Sequence, residues 1–357
     1  MALVLVAGAA LKGTLDCRAA TRALAQGVRR AGHEALSLPI ADGGDGSLAA
    51  LAAAGFRPRK AATHDALGGP VEGRFAFRAR DQAAAVEFAE AAGLWRLAGR
   101  GYNPWRCTSY GVGELLAAAA SLRPRRLLLL LGGSATQDGG LGLLQALGAH
   151  LRPTTRSRFV AARDLAALES LDLAPARERL AGIAFEAAHD VDHVLSGPGG
   201  SAYAFALQKH FAPEDLSALD AALGHLGALL SEASGLRAEV AGAGAAGGAG
   251  AAARALGARL VPGADCIFDF LGVPAALASA DAVLTSEGQV DATSWLGKAP
   301  GRVCALAREA GKPAAIVCGR ARAKAPEGVL LREAAQGAPA GAHDLARAAE
   351  AAVRAML

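Results

Sequence analysis

The chain repeats one local pattern along most of its length: a short apolar run ends at Gly, Ser or Asp and is followed by a helix-like segment. This order of strand, loop and helix is typical of α/β folds, in which parallel strands buried on both faces are continuous apolar runs. The strands predicted in this way are Leu3–Val6, Ala35–Leu38, Arg126–Leu131, Asp281–Thr285 and Ala314–Cys318. The pattern therefore predicts an α/β fold class.

The middle of the chain has a different pattern of apolar residues. Val71–Arg78 and Ala83–Ala89 are typical of a hairpin or mixed sheet, and Pro213–Glu232 is a long amphipathic helix with leucines at helical spacing. A chain of 357 residues also exceeds the roughly 250–300 residues at which single cores stop growing. We therefore predict two α/β domains, one with a Rossmann-like parallel sheet and one with a mixed sheet inserted in the middle of the chain. The predicted domains are residues 1–60 together with 280–357, and residues 61–279.

Charge and apolar patterning exclude several classes of protein. The 37 basic and 33 acidic residues are interspersed, and the densest basic group, Arg123–Arg126, is too short for a nucleic-acid stripe. No apolar stretch approaches the roughly 18 residues of a membrane span. The apolar start, Met1–Ala7, lacks a basic leader and is typical of a first strand. We therefore expect a soluble, cytoplasmic protein without nucleic-acid or membrane partners.

The five cysteines are an odd number, are widely spaced and contain no Cys-x-x-Cys pair that would bind zinc or exchange disulfides. They are predicted to be small buried side chains in a reducing compartment.

Two glycine-rich loops follow predicted strands. In the first, Asp42 and Asp45 flank the open backbone N–H groups of Gly43 and Gly44 at the carboxyl end of a sheet, where α/β proteins bind ligands. An Asp-capped turn explains this loop equally well.

The second loop, Gly132–Gly140, begins with Gly132, Gly133 and Ser134, whose successive amides could point at a phosphate. Ser134 and Thr136 add hydroxyl donors. The alternative is that a tight connection between strand and helix needs some of these glycines.

Two further segments carry acidic pairs. Asp190 and Asp192 stand at i and i+2 after an apolar run, which suits metal coordination or a general base beside an anchor. Capping of a turn by the two Asp side chains explains the pair equally well. Glu287, Asp291 and Lys298 follow the strand predicted at 281–285 and could hold Mg²⁺ and counter phosphate charge, unless the loop is merely solvated.

Three other signals are weak. Lys12 is a lone cation near a helix start, and alone it would more often be a surface lysine. Gly297-Lys298 is not a Walker A element, because position 292 is not glycine and no Ser or Thr follows the lysine. Gly242–Gly247 matches G-x-G-x-x-G, but no convincing strand precedes it, so close helix packing or a glycine loop bordering the active cleft is favoured over dinucleotide binding. No zinc-hydrolase or serine-hydrolase signature is present.

Taken in order, these loops resemble the type I glycerate kinase family, from Lys12 to about Gly319. The blocks that carry the resemblance are Pro39–Ser47, Leu67–Val71, Val86–Leu94, Asn103–Pro104, Thr108–Glu114, Gly132–Gly148, Asp190–Gly200, Gln208–Lys209, Ala241–Gly250 and Glu287–Pro300. Several ordered blocks are far more specific than any one motif.

The resemblance implies two α/β domains facing an active cleft, with ATP and Mg²⁺ as the phosphoryl donor system and D-glycerate as acceptor, usually giving 2-phosphoglycerate. A homo-oligomer is compatible with it. On this basis we predict catalytic roles for Asp190 as base, Asp192 as the group that positions Asp190 or a metal, and Lys12 as a charge partner of phosphate. Glu287 and Asp291 are predicted to hold Mg²⁺ or its waters. The predicted substrate or phosphate-binding residues are Asp42, Gly43, Gly44, Asp45, Gly132, Gly133, Ser134, Thr136, Gln208, Lys209 and Lys298.

The sequence also departs from the family pattern. The family's first loop has Asp and Ser where this chain has Ala9 and Ala10, and Gln137, Ser286 and Gln289 replace the family's Asn, Gly and Arg. These changes predict an altered acceptor, weaker activity or a non-catalytic binding relative. An oxidoreductase using NAD(P) is a more remote alternative that depends on the glycine motif alone.

Overall fold

The computed structural model describes residues 1–153, 158–295, 297–335 and 339–357. By their internal contacts they form two compact units. The first comprises Met1–Asp42, Ala49–Gly55 and Pro262–Leu357, and the second comprises Gly43–Leu48 and Phe56–Val261. The domain boundaries expected from the sequence, after residues 60 and 279, divide the chain differently and stay a prediction.

Strands and helices alternate along most of the chain. The strands are β1 (Leu3–Gly8), β2 (Glu34–Pro39), β3 (Arg57–His64), β4 (Pro70–Arg78), β5 (Ala83–Glu87), β6 (Arg126–Leu130), β7 (His150–Arg152), β8 (Ser170–Asp172), β9 (Ala184–His189), β10 (Arg259–Pro262), β11 (Ala282–Val290), β12 (Ala314–Ala321) and β13 (Val329–Glu333). The helices are α1 (Cys17–Arg30), α2 (Ser47–Leu51), α3 (Ala89–Ala92), α4 (Tyr110–Ala120), α5 (Leu141–Ala146), α6 (Ala174–Arg179), α7 (Ser201–Phe205), α8 (Leu216–Ser234), α9 (Ala245–Ala255), α10 (Gly263–Leu271), α11 (Val273–Ser279), α12 (Ala299–Glu309) and α13 (Ala342–Met356).

The first unit contains a five-stranded sheet in the order β13-β12-β11-β1-β2, with every neighbouring pair parallel. Strand β2 lies on one side of β1, and β11, β12 and β13 follow in turn on the other side. The strand order therefore reverses between β1 and β11. The carboxyl edge at such a reversal is where open α/β sheets bind ligands.

Helices α1 and α13 cover one core of this unit. Asp16 caps α1 by accepting a hydrogen bond of 2.7 Å from the Ala19 amide, and Arg29 and Arg30 lie at its carboxyl end, as the helix dipole favours. Gly27 lets the two helices approach closely, because a Cβ at this position would collide with the Ala346 carbonyl.

The second unit contains a six-stranded mixed sheet in the order β10-β9-β6-β5-β4-β3. The pairs β3–β4 and β4–β5 are antiparallel, whereas β5–β6 and β6–β9 are parallel. Strand β6 is the apolar centre, since Leu127, Leu128 and Leu129 are all buried. The predicted α/β class, with one parallel and one mixed sheet, is confirmed.

Some element limits differ from the predictions. Strand β11 continues to Val290, five residues beyond the predicted end at Thr285, because it keeps pairing with β12 after its apolar run ends. Strand β3 has no apolar alternation and was not predicted; it is an edge strand with mostly exposed side chains. The long helix predicted near 213–232 is confirmed by α8.

All five cysteines are buried free thiols, as the sequence predicted. No helix among the described residues combines the length and the apolar character needed to cross a membrane.

Candidate active site

A pocket of about 720 Å³ lies at the carboxyl edge of the first unit's sheet. It collects charged side chains that are far apart in sequence, because β1, β11, β12 and β13 all end at this edge. The charged lining residues are Lys12, Glu287, Asp291, Lys298, Arg320 and Glu333. The structure therefore brings together four sequence-predicted site residues, Lys12, Glu287, Asp291 and Lys298.

Glu287 stands on β11 itself rather than on the loop expected from the sequence. Its Oε1 accepts a hydrogen bond of 3.0 Å from the Gly288 amide. Burial raises the pKa of Glu287 to about 7, against the opposing effect of Lys298 and Lys12, and Asp42 adds to the increase. Asp42 therefore belongs to the electrostatic surroundings of Glu287.

Asp291 has a more exposed setting. Its Oδ1 accepts hydrogen bonds from the Thr293 hydroxyl at 2.6 Å and the Thr293 amide at 2.9 Å, which lower the pKa of the carboxyl. Lys298 Nζ donates to the same hydroxyl at 2.9 Å. Leu296, which falls within the predicted 286–298 loop, lies outside the described residues.

In the second unit, the Gly132–Thr136 loop lies directly against the Gly43–Asp45 loop. A Cβ on Gly132 would collide with the Gly44 backbone, and a Cβ on Gly133, whose φ is +67°, would collide with the Asp45 carboxylate. Only glycine permits this approach at the two positions. The two predicted glycine-rich loops therefore meet in the fold.

Lys209 lies beneath this loop and is 2% exposed. Its Nζ is 2.8 Å from Ser134 Oγ and 2.8 Å from the Thr136 carbonyl oxygen. Burial lowers the pKa of Lys209 to about 7, and the neighbouring Asp138 and Cys107 oppose this decrease. Gln208, its neighbour in sequence, is exposed instead.

The Thr136 hydroxyl is buried and has no hydrogen-bond partner within the described parts of the chain. A phosphate-binding role for Thr136, predicted from the sequence, requires a ligand to reach a side chain that is 0% exposed.

Asp190 and Asp192 follow the end of β9 at His189, so they stand on irregular chain beyond the strand. Asp190 is half-buried, whereas the Asp192 side chain is 90% exposed, with Oδ1 3.9 Å from His189 Nδ1. Burial lowers the pKa of His189. The two carboxylates thus differ in solvation, which suits different roles.

Two buried carboxylates that lie at the glycine-rich loops were not predicted as site residues. Glu87 accepts hydrogen bonds from the Gly46 amide at 2.8 Å and the Leu48 amide at 3.0 Å, and burial raises the pKa of its carboxyl to about 7. Asp138 is 0% exposed, and burial raises the pKa of this carboxyl as well. Two features of the sequence could have indicated these residues. Glu87 is a single acidic residue at the end of an apolar strand, and Asp138 is an acidic residue within a glycine-rich loop.

Two departures from the family pattern have structural roles here. Ser286 Oγ donates to the Ala9 carbonyl at 2.8 Å, which ties β11 to the altered first loop. Gln137 exchanges two hydrogen bonds with Ser201, at 3.0 and 3.1 Å. Both side chains are buried and are engaged by these contacts.

The glycine-rich segment 242–250 packs tightly rather than forming a dinucleotide loop. A Cβ on Gly247 would collide with the Thr136 carbonyl, and one on Gly242 would lie 2.5 Å from His189 Nε2. The residues before Gly242 form turns and bends, not a strand. Close packing, one of the two interpretations favoured from the sequence, is confirmed, and a position bordering the active cleft stays a prediction.

The model of the Glycerate kinase family matches residues 4–354. The chain is 34% identical over 320 residues to a glycerate kinase of Haemophilus influenzae, covering 88% of this chain and 85% of that protein. It is 32% identical over 322 residues to the glycerate 2-kinase of Escherichia coli, covering 88% and 84% of the two chains.

A solved structure agrees with these sequence matches. The crystal structure assigned as glycerate kinase 2 from Salmonella typhimurium LT2 superposes with a TM-score of 0.85 at 31% identity. The match covers 99% of this chain and 98% of the other.

Proposed function

Because this chain belongs to the glycerate kinase family, a family of phosphotransferases with an alcohol group as acceptor, we propose that it transfers the γ-phosphoryl group of ATP to D-glycerate. The proposed product is 2-phosphoglycerate. The observation that carries the proposal is the family match over residues 4–354, together with a pocket at the sheet reversal that gathers lysines and carboxylates. Phosphoryl transfer needs such groups for positioning and charge neutralisation.

Glu287 and Asp291 are the groups we propose for holding Mg²⁺. The fit is favourable because both offer carboxylate oxygens in one pocket, and Mg²⁺ is usually held by one or two carboxylates, waters and substrate phosphates. No cluster of three or more His, Cys, Asp or Glu side chains suited to a metal exists among the described residues, so waters and substrate phosphates would complete the shell. When bound, the ion would neutralise charge on the phosphate oxygens.

Lys12 and Lys298 face the same pocket and would offset phosphate charge. The Gly132–Thr136 loop and residues 42–47 would bind phosphate or acceptor oxygens through backbone amides and hydroxyls. Gln208, which is exposed and precedes Lys209 in the sequence, would contact the substrate directly.

Asp190 is proposed as the general base. Its carboxylate would take the proton from the 2-hydroxyl of D-glycerate, the hydroxyl oxygen would form a bond to the γ-phosphorus, and the bond from that phosphorus to the leaving oxygen of ADP would break. Asp192 would position Asp190 or a metal. The half-buried setting of Asp190, beside an exposed Asp192, favours this division of roles.

The first experiment is ADP release by the purified protein with Mg-ATP and D-glycerate, against a no-acceptor control and a panel of small hydroxy acids. Turnover with D-glycerate is expected. Turnover only with another acid would make the altered first loop at Ala9 and Ala10 a specificity change, and no turnover with any acceptor would overturn the proposal.

The base is tested by Asp190→Asn, which is expected to lower kcat by about 10²–10⁴-fold because positioned general bases contribute that much. Asp172→Asn, which changes an exposed carboxylate on β8, is the matched control and should leave kcat unchanged. If Asp190→Asn keeps turnover within about threefold of wild type, the assignment of the base is wrong.

A further inference from the structure

While Lys209 is protonated, its buried contact with Ser134 has a fixed direction. A lysine ammonium has three N–H donors and no acceptor. The Thr136 carbonyl oxygen accepts one of these bonds, and Ser134 Oγ, 2.8 Å from Nζ, must accept another. The hydroxyl proton of Ser134 is therefore directed away from Lys209 and is available to a different acceptor.

The backbone around Ser134 is held in place. The Ala135 amide donates to the Ala92 carbonyl at 2.8 Å, and the Leu94 amide donates to the Gly133 carbonyl at 2.8 Å. Through these two hydrogen bonds Gly93 and Ser134 form an isolated antiparallel β-bridge. The Ser134 hydroxyl thus stands on a fixed loop, which is the preorganisation that binding sites need.

We propose that Lys209 is a positioning residue that fixes Ser134 as a hydrogen-bond donor to an anionic oxygen of a substrate. The inference rests on the proposed kinase function, and the oxygen belongs either to a phosphoryl group or to the acceptor carboxylate. Lys209 is 2% exposed and acts through Ser134, which is 8% exposed and stands in the loop itself. This role differs from the direct substrate contact predicted for Lys209 from the sequence.

The proposed arrangement predicts that the KM of one substrate depends on pH. With burial holding the pKa of Lys209 near 7, the ammonium loses its proton just above neutrality, and the neutral amine can then accept the Ser134 proton. The titratable groups that act on Lys209 are Asp138, whose pKa is raised by burial, and Cys107, whose pKa is raised to about 12 and which stays a thiol. The KM of the substrate bound by Ser134 should therefore rise above about pH 7.

The test compares Ser134→Ala, Lys209→Met and the double variant by steady-state kinetics. Each single change should raise the KM of one substrate about 10–100-fold with a smaller effect on kcat, as expected for a lost hydrogen bond to a charged group. The double variant should be no worse than Ser134→Ala, because both changes remove the same interaction. An increase in the KM of ATP identifies a phosphoryl oxygen, and an increase in the KM of D-glycerate identifies the carboxylate.

Lys312→Met is the matched control, because Lys312 Nζ also donates to backbone carbonyls, those of Leu277 at 2.6 Å and Ala278 at 2.8 Å, in the first unit. It should lower Tm without changing either KM. The proposal is overturned if Lys209→Met behaves in the same way, or if the effects of the two single changes multiply in the double variant.

Two further measurements keep the inference testable if Lys209→Met does not fold or if wild type shows no turnover. The KM of wild type should rise above pH 7 while that of Ser134→Ala stays flat, and a flat wild-type profile would contradict the proposal. If wild type is inactive with every acceptor, the kinase proposal fails separately. Calorimetry with Mg-ADP and with D-glycerate then decides whether Ser134→Ala weakens binding of one ligand, as the inference requires, or of neither.

Discussion

The lysines of the first unit's pocket and the charged groups at the second unit's glycine-rich loops differ in how far they are buried. In the first unit, Lys12 is exposed and Lys298 is half-buried, and both line an open pocket with carboxylates. In the second unit, Lys209, Asp138 and Glu87 are each under 5% exposed and are tied to backbone groups. Charges that stay solvated are available to a ligand at little cost to stability, whereas buried charges fix the backbone and carry a large desolvation cost. Substitutions at buried charges should therefore lower mainly the free energy of unfolding, whereas substitutions at solvated charges should change mainly the KM.

The largest effect is expected for Asp138→Ala in the second unit. The Asp138 carboxylate accepts bonds from the Ser109 amide at 2.7 Å, the Ser109 hydroxyl at 2.8 Å and the Gly140 and Gly142 amides at 3.2 Å. Removing it leaves several buried donors unsatisfied, so the free energy of unfolding should fall by about 3 kcal/mol or more. Urea denaturation measures the change.

Asp138→Asn retains the size and one acceptor oxygen, and should lose clearly less stability. It also supplies a measurable value if the alanine variant does not fold. Equal stability of Asp138→Ala and wild type would contradict the view that this carboxylate holds the loop.

An intermediate, pH-dependent effect is expected for Glu87→Gln. The pKa of Glu87 is about 7 in the folded protein and 4.5 for an unperturbed glutamate, so the folded protein binds more protons than the unfolded chain between these pH values. The associated stabilisation is complete below about pH 4.5 and is lost as pH rises through about 7. The stability of wild type relative to Glu87→Gln should therefore fall by on the order of 2–3 kcal/mol from pH 4.5 to 8.

Thermal and urea unfolding of both proteins across this pH range provide the measurement. Glu72→Gln, which changes an exposed carboxylate on β4, serves as the control and should show no such trend. A pH-independent difference between wild type and Glu87→Gln would show that Glu87 does not titrate in this range.

The smallest effect on stability is expected for Lys298→Met in the first unit. Its ammonium donates to an exposed threonine hydroxyl rather than to a buried group, so the free energy of unfolding should change by less than about 0.5 kcal/mol. The KM of ATP should nevertheless rise about tenfold through the loss of a phosphate contact. Steady-state kinetics and urea denaturation give the two values.

Lys60→Met, at an exposed ion pair on β3, controls for removal of a surface lysine and should alter neither quantity. A large loss of stability in Lys298→Met, or an unchanged KM of ATP, would contradict the view that Lys298 serves ligand binding rather than stability.

Much of the fold follows from the sequence because buried parallel strands need continuous apolar runs. Strands β1, β2, β6 and β12 were each predicted within a few residues. Where polar residues continue a strand, as in β11 beyond Thr285, the limit was wrong, since backbone pairing rather than side-chain polarity decides where a strand ends. Edge strand β3 was missed for the same reason.

The sequence by itself determined the α/β class, the family resemblance and the glycine-rich loops at strand ends, because these depend on local patterns and on the order of blocks. Only the tertiary structure decided which charged groups are buried. Lys209 meets Ser134 across 75 residues of chain, and Glu87 meets Gly46 across 41. The exposure and pKa of each group depend on such distant neighbours, and no local pattern records them.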